Sequence, residues 1–308
     1  MTHSRHPEEQ YLDLLRELIT KSERVAAARP DRTGTGTISV LGRELRFDLA
    51  EGFPAFTTKK IFHRHSWKEI LWMLRGGTNI RELLLGSPKV TIWSDWPHRA
   101  YNQQTGSSIS QELFERWVME DETFARSWGD LGPVYGKQWR AWKAADGRLV
   151  DQVAQVIETL KTNPTSRRNF WSGWNVGEIE EMSKTGLPPC HVNYFWYVED
   201  NRLSLQIWQR SADSLLGIPF NVCAGALLVH LFADHVRMEP GELVWYGADT
   251  HLYWNHLEQA RVQVARDPRP LPKFVLKNPR ENVWDYIVDD VELENYDPHP
   301  AIKAAVAV

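Results

Sequence analysis

Cys190 is the residue of this chain best suited to covalent chemistry, and it is one of only two cysteines. Pro188 and Pro189 stiffen the backbone before it, because the proline ring fixes φ. A thiolate is strongly nucleophilic once its pKa falls, so a thiol on a rigid segment suits nucleophilic attack. An isolated cysteine is also commonly a small buried hydrophobic residue. The rest of the chain decides between these two interpretations.

Glu69 is a candidate acid because it lies in an apolar segment. Trp67, Ile70 and Trp72 flank it and predict a buried helix over residues 67–74. A buried carboxylate is normally paired or functional, since burying an isolated charge is costly. The helical spacing also allows a solvent-facing side chain, so both interpretations stay open.

Four arginines stand beside predicted turns or strand ends and not on helix faces: Arg32, Arg167, Arg168 and Arg210. The fork of guanidinium donors matches phosphate oxygens. Each arginine alone is typical of a surface salt bridge, whereas four in loop contexts favour a phosphate site. The net charge of −4 gives no global basic field for nucleic acid, so any anion site has to be local.

Three further polar residues suit a nucleoside ligand. The Asn221 amide offers a donor and an acceptor to one edge of a pyrimidine, although its ordinary role would be to cap the helix predicted to begin there. His251 and Tyr253 alternate along an extended segment and so point to one side. They could hydrogen-bond a sugar hydroxyl, or they could be satisfied polar groups in the core.

The elements that position these residues follow from the hydrophobic pattern. The expected strands lie at 38–47 (as a hairpin), 192–198, 203–207 and 243–246. The expected helices lie at 11–28, 67–74, 151–162 and 221–236. Residues 239–242 indicate a turn, and residues 97–127 indicate a polar, irregular insertion with a helix at 111–117. The apolar chain end, up to Val308, is expected to dock on the protein.

The composition indicates a globular protein, which we expect to form one domain over 1–308, with 25% charged and 42% hydrophobic residues. No apolar run reaches the roughly 18 residues of a membrane span, and the polar start is not a signal peptide. Two distant cysteines fit a reducing compartment, so we expect a cytoplasmic location. A zinc site is not expected, because Asn193 stands where a P-C-x-x-C motif needs its second cysteine. The 15 tryptophans imply a thick aromatic core or a stacking pocket for a flat ligand.

Motifs spread over most of the chain resemble the folate-dependent thymidylate synthase family, from about Tyr11 to Val308. They occur in the family's order: Asp31-Arg32-Thr33-Gly34-Thr35-Gly36-Thr37, Phe56-Thr57-Thr58-Lys59, Gly129-Asp130-Leu131-Gly132-Pro133-Val134-Tyr135-Gly136, Ser166-Arg167-Arg168, Pro189-Cys190-His191, Gln209-Arg210-Ser211, Pro219-Phe220-Asn221, Asp249-Thr250-His251-Leu252-Tyr253 and Tyr296-Asp297-Pro298-His299-Pro300.

The resemblance implies three groups of functional residues. The implied catalytic residues are the nucleophile Cys190 and Glu69, Tyr135, Asn221, Asp213, His191 and Arg210. The implied nucleotide-binding residues are Arg32, Arg167, Arg168, Arg210, Ser211, Gln209, Asn221, His251 and Tyr253. The implied folate-binding residues are Lys59, Trp93, Leu187, Asp213, Leu216, Gly217, Phe220 and Val308.

The resemblance also implies a two-layer α+β fold, in which helices cover a large mixed sheet. In the family this sheet packs back to back with that of a second copy, so a homodimer is implied, with Arg167 and Arg168 serving the partner's site. The implied reaction transfers a one-carbon unit from 5,10-methylenetetrahydrofolate, as co-substrate, to C5 of deoxyuridylate (dUMP). Its products are thymidylate (dTMP) and dihydrofolate. No metal, nucleic acid or membrane is implied.

Departures from the family pattern leave the outcome of the reaction open. Ser94 and Asn193 are two of them, and Gly225 in the buried helix suggests that Trp171 or Trp196 fills the vacated volume. Two other functions are therefore kept: hydroxymethyl transfer to the same or another pyrimidine nucleotide, in which water reacts with the exocyclic methylene, and a non-catalytic nucleotide- or RNA-binding homologue. The full set of folate-site matches favours thymidylate as the product.

Overall fold

The structure, a computed structural model, describes residues 5–185 and 187–306. Its described helices are α1 Glu9–Ser22, α2 His63–Leu74, α3 Arg81–Leu84, α4 Asp95–Thr105, α5 Gln111–Glu120, α6 Glu122–Trp128, α7 Tyr135–Ala141, α8 Gln152–Thr162, α9 Ile179–Thr185, α10 Gly217–Val236 and α11 Leu257–Val264. Its described strands are β1 Thr37–Asp48, β2 Trp142–Lys143, β3 Leu149–Val150, β4 Phe170–Ser172, β5 His191–Glu199, β6 Arg202–Asp213, β7 Glu239–Tyr253, β8 Lys273–Leu276 and β9 Val291–Glu294.

The chain divides into two compact units. The first comprises the residues up to 63, residues 194–279 and those from 289 onward, and the second comprises 64–193 and 280–288. Strand β5 begins in the second unit, beside β4, and continues in the first. The expected single catalytic domain over 1–308 stays a prediction.

The sheet of the first unit is mixed. Strand β7 pairs antiparallel with β1 and parallel with β6, while the neighbouring strands β5 and β6 are joined by a turn through Asp200 and Asn201. Both turn residues have positive φ, +47° and +59°, as a tight hairpin turn requires. Helix α10 connects β6 to β7 and packs on both strands. Strands and helices in this arrangement confirm the α+β class.

Helix α10 forms the core of the first unit. Within the described ranges it is the helix long and apolar enough to cross a membrane, yet 72% of its most apolar stretch is buried inside the protein. Such burial is typical of a core helix. Gly225 on this helix faces Ile207 and Leu243, whose methyl carbons lie 2.6 and 2.8 Å from where a Cβ would stand.

The expectation that Trp171 or Trp196 fills the volume beside Gly225 is therefore wrong. Aliphatic side chains of β6 and β7 fill the space, because they point at the helix from the strands beneath it. Trp196 stacks on Phe232 with ring centroids 4.4 Å apart. Trp171 packs against Trp139 within the second unit, at 5.7 Å.

Residues 38–47 form no hairpin, contrary to the sequence prediction. Strand β1 runs through them and pairs with β7 at Leu41 and again at Arg43. Gly42 between them adopts φ +67°, which glycine tolerates because it lacks a Cβ. The kink stays local, since the ladder resumes at the next residue.

The predicted turn at 239–242 is also wrong, because these residues begin β7. Glu239 already pairs with Arg202 in the parallel ladder. The chain reverses earlier, at Arg237, whose φ of +60° ends α10. The first helix likewise ends at Ser22 and does not reach residue 28.

The predicted helix at 111–117 is confirmed by α5, but most of the rest of residues 97–127 is also helical, in α4 and α6, and not irregular. Ser110 caps α5 by accepting a hydrogen bond from the Leu113 amide at 3.2 Å, and Asp121 caps α6 in the same way. Aromatic side chains from the three helices α4, α5 and α6 hold them together, with Tyr101 in contact with Phe114, Trp117, Phe124 and Trp128. Polar composition hid these contacts, because the aromatic residues are widely spaced in the sequence.

The described part of the chain end is mostly exposed. Val306 is 54% exposed, whereas the Ala305 carbonyl lies 2.7 Å from Nε2 of His256. One polar contact thus fixes the segment where broad apolar docking was expected. Val308 lies outside the described residues.

Candidate functional site

The nucleophile candidate is held by a tyrosine in the second unit. Cys190 is half-buried immediately before β5, and its backbone N–H donates to the Tyr135 hydroxyl oxygen at 2.7 Å. The next amide, that of His191, donates to the same oxygen at 3.4 Å. Tyr135 opens α7 and is only 4% exposed, so its position is fixed. The phenol oxygen accepts hydrogen bonds from two backbone amides, and its own O–H group can still donate one.

Tyr135 stays neutral at physiological pH. Burial raises the pKa of its phenol well above the ordinary value of 10, and the neighbouring Cys190 and Glu69 groups add to the effect. A neutral phenol with its oxygen occupied by N–H donors is a hydrogen-bond donor and not a base. Its chemistry at this site is therefore to hold the nucleophile segment and to donate one proton in a hydrogen bond.

Glu69 on α2 carries a carboxyl group tuned towards neutrality. Its side chain keeps some accessible surface, but protein atoms surround the carboxyl group closely. This burial raises the pKa of Glu69 to about 7, opposed in part by the Trp93 indole. Trp93 meets the Tyr135 ring edge to face, with centroids 6.0 Å apart. A carboxyl group of this pKa can hold or release a proton at physiological pH, which suits general acid–base chemistry.

In the first unit, two buried side chains, Trp245 and Gln209, form a hydrogen-bonded chain with the half-buried Asn221. The Trp245 indole N–H donates to Oε1 of Gln209 at 2.8 Å. Nε2 of Gln209 donates to Oδ1 of Asn221 at 3.1 Å and to the Ser211 carbonyl at 2.9 Å. Asn221 lies inside α10, which begins at Gly217, so the predicted capping role is wrong. Its amide is available for recognition.

His251 and Tyr253 lie together at the end of β7. Their rings meet edge to face at 5.2 Å, in agreement with the predicted common side. Nδ1 of His251 lies 3.5 Å from an Asp249 oxygen, and Arg29 pairs with the other oxygen at 2.5 Å. The His251 imidazole and then the Arg29 guanidinium hold the pKa of Asp249 well below its usual range. Asp249 thus orients the imidazole.

The parallel register of β6 and β7 brings further predicted residues to one edge of the first unit. Ser211 lies opposite Asp249, and Asp213 lies opposite His251. Arg210, directly before Ser211 on β6, is half-buried, whereas Arg32 is exposed in the loop before β1. In the second unit, Arg167 and Arg168 are exposed just before β4.

The predicted folate residues of the first unit gather at the start of α10. Asp213 accepts hydrogen bonds from the amides of Leu215 at 2.9 Å and Leu216 at 3.1 Å. The Lys59 ammonium group is buried and donates to the Leu215 carbonyl. Burial lowers the pKa of Lys59 to about 8, with Asp213 opposing the change. A Cβ atom added at Gly217 would lie only 3.4 Å from the Cβ of Asp213, so the backbone turns tightly here.

The remaining predicted residues are described more briefly. Phe220 and Leu216 are half-buried near the start of α10, and Leu187 is half-buried in the irregular segment before Cys190. Val308 lies beyond the described part of the chain. In the described ranges, no group of three or more His, Cys, Asp or Glu side chains could hold a metal ion.

Sequence reasoning missed Glu8, which organises the segment before Lys59. Glu8 is fully buried, and its carboxylate accepts from the amides of Thr57 at 2.7 Å and Thr58 at 3.0 Å and from both hydroxyls. Four donors satisfy the buried charge. The sequence carried no signal for this role, because an acid immediately before the first helix is typical of an ordinary helix start.

Comparisons with known proteins agree with these motifs. A family model described as "Thymidylate synthase" matches residues 9–308. The protein named "Thymidylate synthase" from Cereibacter sphaeroides (strain ATCC 17029 / ATH 2.4.9) is 51% identical over 305 residues, which cover 98% of this chain and 99% of that protein. That from Rhizobium rhizogenes (strain K84 / ATCC BAA-868) is 50% identical over 314 residues, with 99% of each chain covered. That from Zymomonas mobilis subsp. mobilis is 47% identical over 303 residues, covering 98% of this chain and 99% of its own length.

Proposed function

Because the chain belongs to the thymidylate synthase family, we propose that it methylates dUMP at C5, with 5,10-methylenetetrahydrofolate as the one-carbon donor. The products are dTMP and dihydrofolate. One observation carries the assignment to particular residues: the Cys190 amide is fixed on the Tyr135 hydroxyl at 2.7 Å, next to the buried acid Glu69.

Cys190 acts as the nucleophile. Its sulfur forms a bond to C6 of the pyrimidine, which pushes electron density onto C5 and O4. Glu69 holds a proton that can neutralise the developing charge on O4, and its pKa of about 7 allows it to give and regain that proton at neutral pH. Tyr135 keeps the nucleophile segment in place and donates its remaining hydrogen bond. His191 follows the nucleophile and shares the same phenol oxygen.

The first unit supplies the recognition of dUMP. Asn221 pairs with N3–H and O4 of uracil, and Gln209 supports it. His251 and Tyr253 hold the 3′-hydroxyl of the sugar. The phosphate binds Arg32, Arg210 and Ser211, because guanidinium groups and a hydroxyl match its oxygens.

The residues at the start of α10 fit a reduced folate. The Lys59 ammonium has three N–H donors, of which Leu215 takes one, and it lies in a buried setting beside the Asp213 carboxylate. A ligand with carbonyl oxygens and amide N–H groups suits this pair of charges. When bound, the folate supplies the one-carbon unit and a hydride. The holding residues are Lys59, Trp93, Leu187, Asp213, Leu216, Gly217, Phe220 and Val308.

We propose a homodimer, in which Arg167 and Arg168 serve the phosphate of the partner's site. The support comes from the sheet face opposite α10. Ile207 faces α10, so Trp208, its neighbour on β6, points away from the helix. Trp208 stacks on Tyr246 and is 37% exposed, and Tyr197 on β5 is 50% exposed. Large exposed aromatic side chains on one face are typical of an interface. We place the enzyme in the cytoplasm, with no need for nucleic acid.

Methyl transfer is favoured over hydroxymethyl transfer. The latter needs water at the exocyclic carbon, and Gly225 was one departure that could have admitted it. The 2.6 and 2.8 Å approaches of Ile207 and Leu243 leave no room there for a water molecule. Ser94, another departure, is fully buried.

The test is covalent capture followed by product analysis. We expect the protein, incubated with 5-fluorodeoxyuridylate and methylenetetrahydrofolate, to form a ternary adduct on Cys190 that intact-mass spectrometry detects. The Cys190→Ala variant serves as the control and forms none. With dUMP, we expect dTMP and a rise in dihydrofolate absorbance. Formation of 5-hydroxymethyldeoxyuridylate, or no adduct at all, would overturn the proposal.

A further inference from the structure

The hydrogen-bonded chain from Trp245 to Asn221 has a fixed direction. Trp245 is fully buried and Gln209 is 3% exposed, so bulk water does not compete for their polar groups. An indole N–H is a donor only, and the Ser211 backbone carbonyl is an acceptor only. Both groups are within hydrogen-bond distance of the Gln209 amide, at 2.8 and 2.9 Å.

These two anchors decide how the Gln209 amide lies. Its carbonyl oxygen has to face Trp245, and its NH₂ group has to face Ser211. The second hydrogen of that NH₂ group then points at Asn221, 3.1 Å away, so the Asn221 atom facing it has to be the oxygen. A reversed Gln209 would set donor against donor at Trp245 and acceptor against acceptor at Ser211.

We propose that Trp245 is a specificity-determining residue, which fixes the direction of the Asn221 amide through Gln209 and so selects uracil over cytosine. This inference rests on the proposed function, in which Asn221 reads the pyrimidine edge. Trp245 touches no substrate atom and acts by positioning.

The direction matters because the two bases present opposite patterns. Uracil offers a donor at N3 and an acceptor at O4, which match the Asn221 oxygen and NH₂ group as they stand. The oxygen has two lone pairs and can accept from both Gln209 and N3–H. Cytosine offers an acceptor at N3 and a donor at N4, and thus requires a reversed Asn221. Reversal would turn the Asn221 NH₂ group towards the Gln209 NH₂ group and lose their hydrogen bond.

The experiment compares dUMP and dCMP on the Trp245→Phe variant. Phenylalanine keeps a buried aromatic ring but has no N–H, so one of the two anchors of Gln209 is lost. We expect the preference for dUMP over dCMP, measured by calorimetric dissociation constants and by kcat/KM, to fall about fivefold to tenfold, the effect of one hydrogen bond. Most of the change should be stronger dCMP binding, with the dUMP affinity nearly constant.

A matched control removes a different buried indole. Trp196→Phe alters a tryptophan that is also fully buried, but which stacks on Phe232. We expect its base preference to equal that of the unmodified protein. An unchanged preference in Trp245→Phe, or an equal fall in both variants, would overturn the inference.

A double-mutant cycle tests the route through Gln209. The Gln209→Met variant removes both anchors and should lower the preference at least as much as Trp245→Phe. The double variant should then match Gln209→Met within about twofold, because Trp245 acts only through Gln209. Additive effects would contradict the route. Failure of the unmodified protein to bind dUMP or form dTMP is a separate result, which refutes the proposed function itself.

Discussion

Replacing Glu69 by glutamine tests whether the buried acid is tuned as the structure indicates. Glutamine has nearly the same shape and cannot ionise, so the variant removes the titration and little else. Burial raises the pKa of Glu69 from 4.5 to about 7 in the folded protein. The unfolded chain has the ordinary value. The folded state therefore binds the proton more tightly, and the free energy of unfolding depends on pH through this group.

The sign follows from this difference. Below pH 4.5 both states are protonated, and Glu69 has no ionisation cost. As the pH rises, the unfolded state loses its proton first, so the folded state loses relative stability until its own carboxyl group ionises at about pH 7. A tenfold change in proton affinity is worth about 1.4 kcal/mol, so the whole effect is about 3 kcal/mol. Glu69→Gln should thus gain about 3 kcal/mol over the unmodified protein between pH 4 and pH 9.

The assay is urea unfolding at five pH values across that range, at one protein concentration. The concentration is fixed because association with a second copy would itself change the apparent stability. Glu112→Gln is the control, since Glu112 is exposed on α5. We expect its difference from the unmodified protein to stay flat. If the Glu69→Gln difference is equally flat, the carboxyl group is not tuned by burial, and its role as a proton donor at neutral pH loses its basis.

Three further predictions address the positions of neighbouring groups. Tyr135→Phe leaves the amide of the half-buried Cys190 without its 2.7 Å acceptor. We therefore expect the free energy of unfolding to fall by about 1–3 kcal/mol and adduct formation to slow. An unchanged rate of adduct formation would refute the positioning role. Asp249→Asn removes the charge that orients His251, so KM for dUMP should rise about threefold to tenfold with kcat nearly constant. A decrease confined to kcat would contradict a role of Asp249 in substrate binding. Mixing Cys190→Ala chains with Arg168→Ala chains should restore activity, because one site of the mixed dimer keeps both groups. If activity does not return after verified subunit exchange, Arg168 serves the site of its own subunit.

The sequence predicted those elements whose patterns are local. The two strands after Cys190 and the buried helix containing Asn221 all carry their signal within a few residues. The false hairpin at 38–47 shows where local reasoning fails, since Gly42 has turn character but the partner strand, β7, lies about 200 residues away in the chain. The helices on either side of α5, which are α4 and α6, were missed for a similar reason, because Tyr101 finds its aromatic partners only after three helices have folded.

The candidate site residues were easier to identify from the sequence than the residues that hold them in position. Cys190 and Glu69 stand out by residue type, and the motifs identify the rest. Glu8 carried no signal in the sequence, although it is fully buried and receives four hydrogen bonds from Thr57 and Thr58. Trp245 looked like one more apolar strand residue. Its single N–H donor gains meaning only from the register that sets β7 beside β6, and no local pattern encodes that register.

Both units solve the same physical problem, that of fixing the direction of a polar group inside the protein. A hydroxyl or an amide can usually turn, and a turned group recognises a different partner. The protein restricts this freedom by pairing each such group with backbone or side-chain atoms that have only one role. The two amides at Cys190 and His191 can only donate, and so they force the Tyr135 hydroxyl to accept from them. The Trp245 indole has the same effect on Gln209. Groups that can only donate therefore fix the orientation of the polar groups to which they bond. Such hydrogen bonds contribute modest net stability, but the fixed orientation determines which partner the polar group recognises.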